Sequence, residues 1–549
     1  MAAWGQAQIV PNINMAQYCK LEDTPESVAR KCKIVCTMGP NQSTVESLVK
    51  LINAGMNVAR LNFSHGDHET HGAMVQRVRE AAKQARKPVA ILLDTKGPEI
   101  RTGFFAAGGK ISLVAGEDLK LVTDYGFKGD KTCFALSYDK LCSSVKPGNI
   151  ILCADGSLSL RVKTVGDDHV MTEVMNNCSL GERKNCNLPG IQVDLPVLQE
   201  KDKDDLVKFG IPNGVDFVAA SFVQSADDVK FIRNTLGIRG RNIKIISKIE
   251  NEAGVSNFDD ICKASDGIMV ARGDLGMEIP PENVFIAQKL MISHCNLLGK
   301  PVITATQMLE SMCGAPRPTR AEAGDVANAV LDGTDCVMLS GETAAGGYPV
   351  EAVTIMRKIC QTTEQTLDYD SIYLGTWLRA KNDGMMMDSV EALCSSAVEA
   401  AAESGCKLIV ALTETGSTAV ALAKYRPRAT ILAITASEST LRHLLVWRGI
   451  RPMLTDSFVG TDSVINKAIA TAKEDGLVVS GDIVVAVHGT KELKPGHTNL
   501  LKMVVVPSIA EVQTKRTTLI PRTDDLLSPH LQAGRWRRTE EGRWTSDPV

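Results

Sequence analysis

From Lys33 onward, short runs of aliphatic and β-branched residues alternate with stretches long enough for one helix each, and each run turns polar at its carboxyl end. Eight such runs are predicted as strands: 33–37, 56–64, 89–95, 217–222, 243–250, 267–274, 302–307 and 336–342. Unbroken apolar character marks strands buried on both faces, and strands separated by helices mark parallel βα units. Eight such units close on themselves, so the expected fold is α/β, a (β/α)8 TIM barrel. The polar ends are Arg60, Asn62 and Ser64; Asp94 and Thr95; Ser221; Lys248 and Glu250; Arg272 and Asp274; Thr304 and Thr306; Ser340 and Glu342. Barrel active sites form at the carboxyl ends of the strands, and this asymmetry is what one requires.

Between the third and fourth runs the texture changes. Over 96–196, Gly, Asp and Asn turns separate short strands, as in Asp155-Gly-Ser-Leu-Ser-Leu-Arg-Val-Lys163 followed by Asp167-Asp-His-Val-Met-Thr-Glu-Val174, a hairpin pattern. This predicts an inserted small β-barrel domain, placed above the site and able to close on it as a lid. After 367 the βα pattern restarts, with strands at 408–412, 431–435, 483–487 and 503–506, a C-terminal α/β domain. Its first strand runs into Thr413-Glu-Thr-Gly-Ser-Thr418 and then a helix. Hydroxyls and backbone N–H groups at a helix start suit a phosphate, and equally an ordinary capped helix. The expected organisation is an N-terminal arm over 1–29, the barrel over 30–95 and 197–367, the lid over 96–196 and the C-terminal domain over 368–507. Residues 508–549 lose the periodicity and are expected as a disordered or loosely docked tail.

Composition narrows the partners. A chain of 549 residues, 44% hydrophobic, has enough apolar side chains for several cores. Its formal net charge of -3 offers no global attraction to nucleic acid or to an anionic membrane. Fifteen cysteines without a CxxC pair suit free thiols in a reducing compartment, so a cytoplasmic location is expected. No basic segment precedes an apolar core at the start, and no apolar run reaches membrane-spanning length, so neither secretion nor insertion is expected.

The run Ile243-Lys-Ile-Ile-Ser-Lys-Ile-Glu250 places a Lys and a Glu two residues apart at the end of an apolar strand. Strand side chains alternate faces, so Lys248 and Glu250 share one. Burying either charge alone is costly, so the pair should open onto a cavity or a bound ion, such as a metal with an anionic substrate. A strand-end salt bridge satisfies the same pattern.

Longer motifs carry a resemblance. Met38-Gly-Pro40, Ala59-Arg-Leu-Asn-Phe-Ser-His65, Leu93-Asp-Thr-Lys-Gly-Pro-Glu-Ile-Arg-Thr-Gly103, Ile246-Ser-Lys-Ile-Glu-Asn251, Met269-Val-Ala-Arg-Gly-Asp-Leu-Gly276, Thr304-Ala-Thr-Gln-Met-Leu-Glu-Ser311 and Pro316-Arg-Pro-Thr-Arg-Ala-Glu322 all resemble pyruvate kinase. They run in order through a resemblance spanning about 15–507. It implies a phosphotransferase moving the phosphoryl group of phosphoenolpyruvate onto ADP to give ATP and pyruvate, the final step of glycolysis, and a homotetramer. By the same resemblance Glu250 and Asp274 hold Mg²⁺ (or Mn²⁺), and Lys248 and Arg60 flank the moving phosphoryl group. Ala271, Arg272, Gly273 and Asp274 form the turn that receives the substrate carboxylate, and Thr306 is associated with protonating the enolate. Asn62, Ser64, Asp94 and Thr95 match the potassium ligands, and Glu99 matches members that depend on K⁺. Pro40, Arg60, Asn62, His65, Arg101 and Lys184 are expected to meet ADP or ATP.

Two positions depart from the pattern. Ala345 stands where many members have Lys near the nucleotide, and Glu414 stands where members responding to fructose 1,6-bisphosphate often present Lys. Thr413, Thr415, Gly416, Ser417 and Thr418 remain candidates for a sugar-phosphate effector, helped by Lys491-Glu-Leu-Lys-Pro-Gly-His497. His65, His68 and His71 are spaced like metal ligands but lack a companion Cys or carboxylate set. The Met run at 385–387 suits either a subunit contact or an intrachain core. Two rival readings are a metal-dependent lyase acting on a pyruvate enolate and a catalytically silent sensor of sugar phosphate. The lyase gives no reason for the potassium set or Lys184, and intact Lys248, Glu250, Asp274 and Thr306 argue against the sensor.

Overall fold

The computed structural model describes residues 29–191, 193–382, 387–490 and 497–507, together with the backbone of 536–538 and 544–546. Eight parallel strands close a barrel: β1 (Lys33–Thr37), β2 (Val58–Asn62), β3 (Ala90–Asp94), β4 (Phe217–Ala220), β5 (Lys244–Ile249), β6 (Gly267–Ala271), β7 (Val302–Ala305) and β8 (Cys336–Leu339). Each lies within or coincides with one of the eight predicted runs, and the polar residues of most runs fall at or just past the strand end.

Period-two alternation splits each strand between two cores. Val35, Val58, Leu92, Phe217, Ala219, Ile246, Met269 and Ile303 fill the barrel interior. Ile34, Leu61, Leu93, Val218, Ile245, Val270 and Val337 face outward into the core shared with the helices. Helix starts are fixed by side chains: Asp67 accepts from Thr70 N–H, and Ser225 and Thr319 form capping boxes with Asp228 and Glu322. Among the described residues no helix is long and apolar enough to cross a membrane.

The segment between β3 and β4 carries a seven-stranded sheet and a two-stranded sheet around their own core. The strand Leu158–Val165 buries Leu158, Leu160 and Val162 and leaves Ser159 half-buried and Arg161 exposed between them, so one face of a pleated strand builds that core. Asp202 ties the two connections to the barrel. Its buried carboxylate accepts from the N–H groups of Lys96 and Gly97 on the way out and of Gln199 on the way back.

The C-terminal sheet has five strands in the order Ile450–Leu454, Thr430–Thr435, Leu408–Leu412, Ile483–Gly489, Thr498–Val505, parallel except for the last. The strand Ile450–Leu454 was not expected from the sequence. Pro452 interrupts its apolar run, and such a residue is tolerated because the strand lies at the sheet edge, where one side needs no ladder partner. The turn Leu444–Val446 reaches back and seats Leu445 and Val446 in the barrel interior, closing its amino-terminal end. Around this plug Arg426 binds Asp335 through Nη1 at 2.7 Å and Nη2 at 3.1 Å, and Lys33 Nζ donates to Ile450 O at 2.5 Å.

Of the tail expected to be disordered, the backbone of Trp536–Arg538 pairs antiparallel with Trp544–Ser546, and its other residues lie outside the described ones. So do the arm up to residue 28, Met385 and Met386 of the Met run, and 491–496 of the loop expected over the C-terminal site.

Candidate active site

The inward column of side chains that packs the barrel core turns polar one layer higher. Val58 is followed on its face by Arg60, Leu92 by Asp94, Ala219 by Ser221, and Ile246 by Lys248 and then Glu250. Parallel register brings these ends level, with Arg60 opposite Leu92 and Asn62 opposite Asp94. Lys248 Nζ sits 3.1 Å from Asp94 Oδ1, 2.9 Å from Glu250 Oε1 and 2.8 Å from Ser221 Oγ. Arg60 Nε reaches Asp94 Oδ2 at 2.7 Å and its Nη1 donates to Thr37 Oγ1 at 2.9 Å. Lys248 and Glu250 thus share one face, as alternation required.

The electrostatics are unequal. Burial alone would weaken the Lys248 ammonium as a base, but Asp94 and Glu250 outweigh it and hold the lysine charged. Burial raises the Asp94 carboxyl, yet Arg60 and Lys248 bring it below its ordinary value. For Glu250, burial prevails: Lys248 opposes it, Asp274 adds to it, and the carboxyl is pushed up to about 7. Asp274 is raised by burial as well, with Lys248 opposing and Glu99 and Asp155 adding. Lys248 and Arg60 are two cations among three acids, Asp94, Glu250 and Asp274, which leaves negative charge short of a partner.

That shortage fits a divalent cation. Glu250 Oε1 is buried and accepts no hydrogen bond, although the Lys248 ammonium lies 2.9 Å away. The distance gives Coulomb attraction, while the direction leaves a lone pair available. Glu250 Oε2 is spent on Phe222 N–H at 2.6 Å. Hard oxygen ligands of this kind suit Mg²⁺ or Mn²⁺, with the remaining positions left to water and substrate oxygens. Among the described residues no group of three or more His, Cys, Asp and Glu side chains is arranged to hold a metal, so such an ion would rest on these two carboxylates.

Thr306 and Gln307 follow β7 with φ of 76° and 55°. Left-handed backbone is an outlier for a β-branched residue and costs about 1–3 kcal/mol. Gly273 makes room for it, since a Cβ there would lie 2.8 Å from Thr306 Cγ2. The helix Arg272–Glu278 begins at this turn, so the N–H groups of its first residues face the strand ends. The Arg272 guanidinium turns elsewhere, onto the carbonyl oxygens of Ala305 and Thr306 and the carboxylate of Asp325.

Asn62 Oδ1 accepts from Ser64 N–H at 3.1 Å, and Thr95 Oγ1 from Ser221 N–H at 3.1 Å, which places the four expected monovalent-cation ligands at the ends of β2 and β3. A cavity of about 360 Å³ separates lid from barrel and is lined by His65, Glu99, Arg101, Asp155, Lys184 and Asp274. Arg101 donates to Glu99 Oε2 through Nε at 2.9 Å and to Arg183 O through Nη1 at 2.8 Å. Pro40 does not line this cavity. It opens a short turn whose Asn41 and Gln42 side chains donate to Gly346 O and Thr343 O, beside Ala345. His68 pairs with Asp205, and His71 bonds to His65 O and stacks on Phe63, so the three histidines do not converge.

In the C-terminal domain, Gly416 at φ 91° begins the helix Ser417–Lys424 and donates its N–H to Thr413 Oγ1. Thr418 bonds to Thr498 at 2.8 Å, and Thr415 donates to Ser417. Sequence reasoning marked Ser221 only as the polar end of its strand, and did not assign Asp202, Glu278 or Asp325 a part in the site. Of these last three, Asp202 carried a local signal, a carboxylate at the third position of a helix after Gln199.

A parallel barrel with a charged carboxyl face, an inserted β domain and a C-terminal α/β domain defines an α/β-barrel protein of the enzyme kind, with a charged cavity between barrel and insertion. Residues 29–353 match the family model "Pyruvate kinase, barrel domain" and residues 391–504 match "Pyruvate kinase, alpha/beta domain". The chain belongs to the pyruvate kinase family, whose members are phosphotransferases. It is 59% identical over 496 residues to a pyruvate kinase of Eimeria tenella, covering 90% of this chain and 93% of the relative. It is 46% identical to a cytosolic pyruvate kinase isozyme of Glycine max, covering 90% and 99%. A crystal structure of a pyruvate kinase from Cryptosporidium parvum superposes with a TM-score of 0.84 at 49% identity, covering 90% of this chain and all of the other.

Proposed function

We propose that this chain transfers the phosphoryl group of phosphoenolpyruvate to ADP, giving ATP and pyruvate, with a divalent cation and K⁺ as cofactors. The observation that carries the reading is the buried Lys248 ammonium, held by Asp94, Glu250 and Ser221 at the barrel's carboxyl face beside carboxylates that lack a full counter-charge. Phosphoryl transfer depends on positioning and on neutralising charge spread over the transferred oxygens. Lys248 supplies a point charge and Arg60 a planar fork to that group. Glu250 and Asp274 would hold Mg²⁺ or Mn²⁺, which neutralises substrate oxygens when bound. Ala271, Gly273 and Asp274 offer backbone N–H groups to the substrate carboxylate, and the Thr306 hydroxyl lies on the path of the proton to carbon 3 of the enolate. Arg272 enters this turn through its backbone.

Asn62, Ser64, Asp94 and Thr95 are proposed as the K⁺ ligands. His65, Arg101 and Lys184 line the lid cavity and so can meet ADP there, with Pro40, Arg60 and Asn62 on the barrel side. Assembly into a homotetramer is supported by exposed apolar side chains on the helices Val284–Leu298 and Tyr369–Asn382, Phe285 at 57% and Leu374 at 52% exposure. Control by a phosphorylated metabolite at Thr413, Thr415, Gly416, Ser417 and Thr418 is supported by a bonded route to the barrel. Glu414 O accepts from Thr440 Oγ1, and two residues on Arg442 binds Asp216 at the barrel's amino-terminal end at 2.8 Å.

The test is pyruvate release from phosphoenolpyruvate with Mg²⁺, with and without ADP, in potassium and then in sodium buffer. Release that needs both ADP and K⁺ is expected. ADP-independent release would point to a lyase, and no release in any buffer would overturn the reading.

A further inference from the structure

A threonine held at φ 76° needs something to hold it there. One guanidinium bonds the backbone on both sides of this turn. Arg272 Nη2 donates to Thr306 O at 2.7 Å and Nε to Ala305 O at 3.2 Å, so a single planar group straddles two consecutive carbonyls where β7 ends. On its other edge Nη1 donates to Asp325 Oδ1 at 2.6 Å and to Gln288 Oε1 at 3.3 Å. The fork is therefore fixed at both ends, and Asp325 belongs to the helix Arg320–Asp332, whose capping box and hydrophobic face anchor it to the barrel. Next in sequence, Gly273 lets the turn press directly on the Thr306 side chain. The turn proposed to receive the substrate carboxylate and the hydroxyl proposed to pass the proton are thus joined through one side chain that faces neither.

We propose that Arg272, anchored by Asp325, is a positioning residue that sets Thr306 for proton delivery to the enolate. This rests on the kinase reading above. Phosphoryl transfer leaves a negative enolate oxygen and a carbon–carbon double bond. In the second step carbon 3 accepts a proton from the Thr306 hydroxyl, which is reprotonated by water, and the hydroxide left behind is neutralised by a solvent proton; the double-bond electrons form the new C–H bond, and the enolate oxygen becomes the ketone oxygen of pyruvate. Misplacing Thr306 should slow this second step and leave the first nearly intact. A neutral or shorter side chain at 272 cannot bridge both carbonyls, because only the guanidinium has parallel donors on a planar frame.

The experiment is a single turnover of the full chain by rapid quench, following ATP and ketonic pyruvate separately in wild type, Arg272→Gln, Arg272→Lys and Asp325→Asn. In wild type the two products should appear together. In Arg272→Gln and Asp325→Asn pyruvate should lag ATP by about ten- to a hundredfold, with KM for phosphoenolpyruvate changed by less than about threefold. The double variant should be no slower than the worse single one, and Arg272→Lys should recover part of the lag. Products that stay in step in both Asp325→Asn and Arg272→Lys, whether fast or slow, would overturn the positioning role. These two variants keep the test valid if Arg272→Gln fails to fold. A wild type without ADP-dependent turnover would instead bring down the kinase reading and this proposal with it.

Discussion

At Gly273 the absence of one methyl group decides how the site closes. A Cβ would overlap Thr306 Cγ2 at 2.8 Å, and neither partner has room to retreat, because Thr306 is already in left-handed backbone. Gly273→Ala should therefore lower kcat/KM by at least about tenfold and cost about 1–3 kcal/mol of stability through the overlap. Steady-state kinetics beside a thermal melt check this, and unchanged kinetics would show that Thr306 has slack. At the same scale, Lys248 and Glu250 were legible in the sequence because alternation places residues two apart on one face without reference to any other part of the chain. Ser221 was visible only as the polar end of a strand. Its bond to Lys248 arises because β4 and β5 are neighbours in register, with Ala220 opposite Ser247.

Among elements, the connections of the inserted domain and its contact with the barrel each depend on one carboxylate. Asp202→Asn replaces an acceptor by a donor facing the N–H of either Gln199 or the Lys96–Gly97 pair, so one connection of the hinge loosens. KM for ADP should rise about three- to tenfold, because the lid carries Arg101 and Lys184, while KM for phosphoenolpyruvate stays near its wild-type value. Faster amide exchange at Lys96 and Gly97 should accompany it, and exchange at the wild-type rate would refute the hinge role. The contact is made by Glu278, which accepts from Asn187 Nδ2 at 2.8 Å. Burial pushes its carboxyl up to about 7, with Asn187 opposing and Asp274 adding. A raised folded-state value means that the folded protein binds this proton more tightly than the unfolded chain. The stabilisation is full below the ordinary carboxyl range and is lost as pH rises through about 7. Glu278→Gln, always neutral, should gain on wild type between pH 5 and 8 by up to about 2 kcal/mol. Parallel melting-temperature profiles for the two proteins across that range would contradict this.

Across the whole molecule, the C-terminal domain is part of the barrel's fold. It supplies Leu445 and Val446 to the interior and the bidentate Arg426 to Asp335, both side chains nearly inaccessible at 6% and 2%. Arg426→Ala would strand a buried carboxylate, which keeps only backbone donors from Val302 and Arg448, and should destabilise the protein by about 3 kcal/mol. Denaturant unfolding measures this. A midpoint equal to wild type would mean that the domains meet without depending on one another.

The sequence by itself determined the barrel, because eight apolar runs at helical spacing admit few other closures. It determined the charged carboxyl face, because polarity at each strand end is written locally, and it determined the family, because long motifs lie in order. The edge strand Ile450–Leu454 was not legible, since Pro452 erases the local signal and only the sheet's outer position permits it. The tertiary structure alone decided which residues serve the site from a distance: Asp325 behind Arg272, Asp202 across the hinge, Asn187 against Glu278. These pairs lie 53, 106 and 91 residues apart, the hinge measured from Lys96. Their meeting depends on how separate elements pack, and the period of a strand or helix carries no record of that.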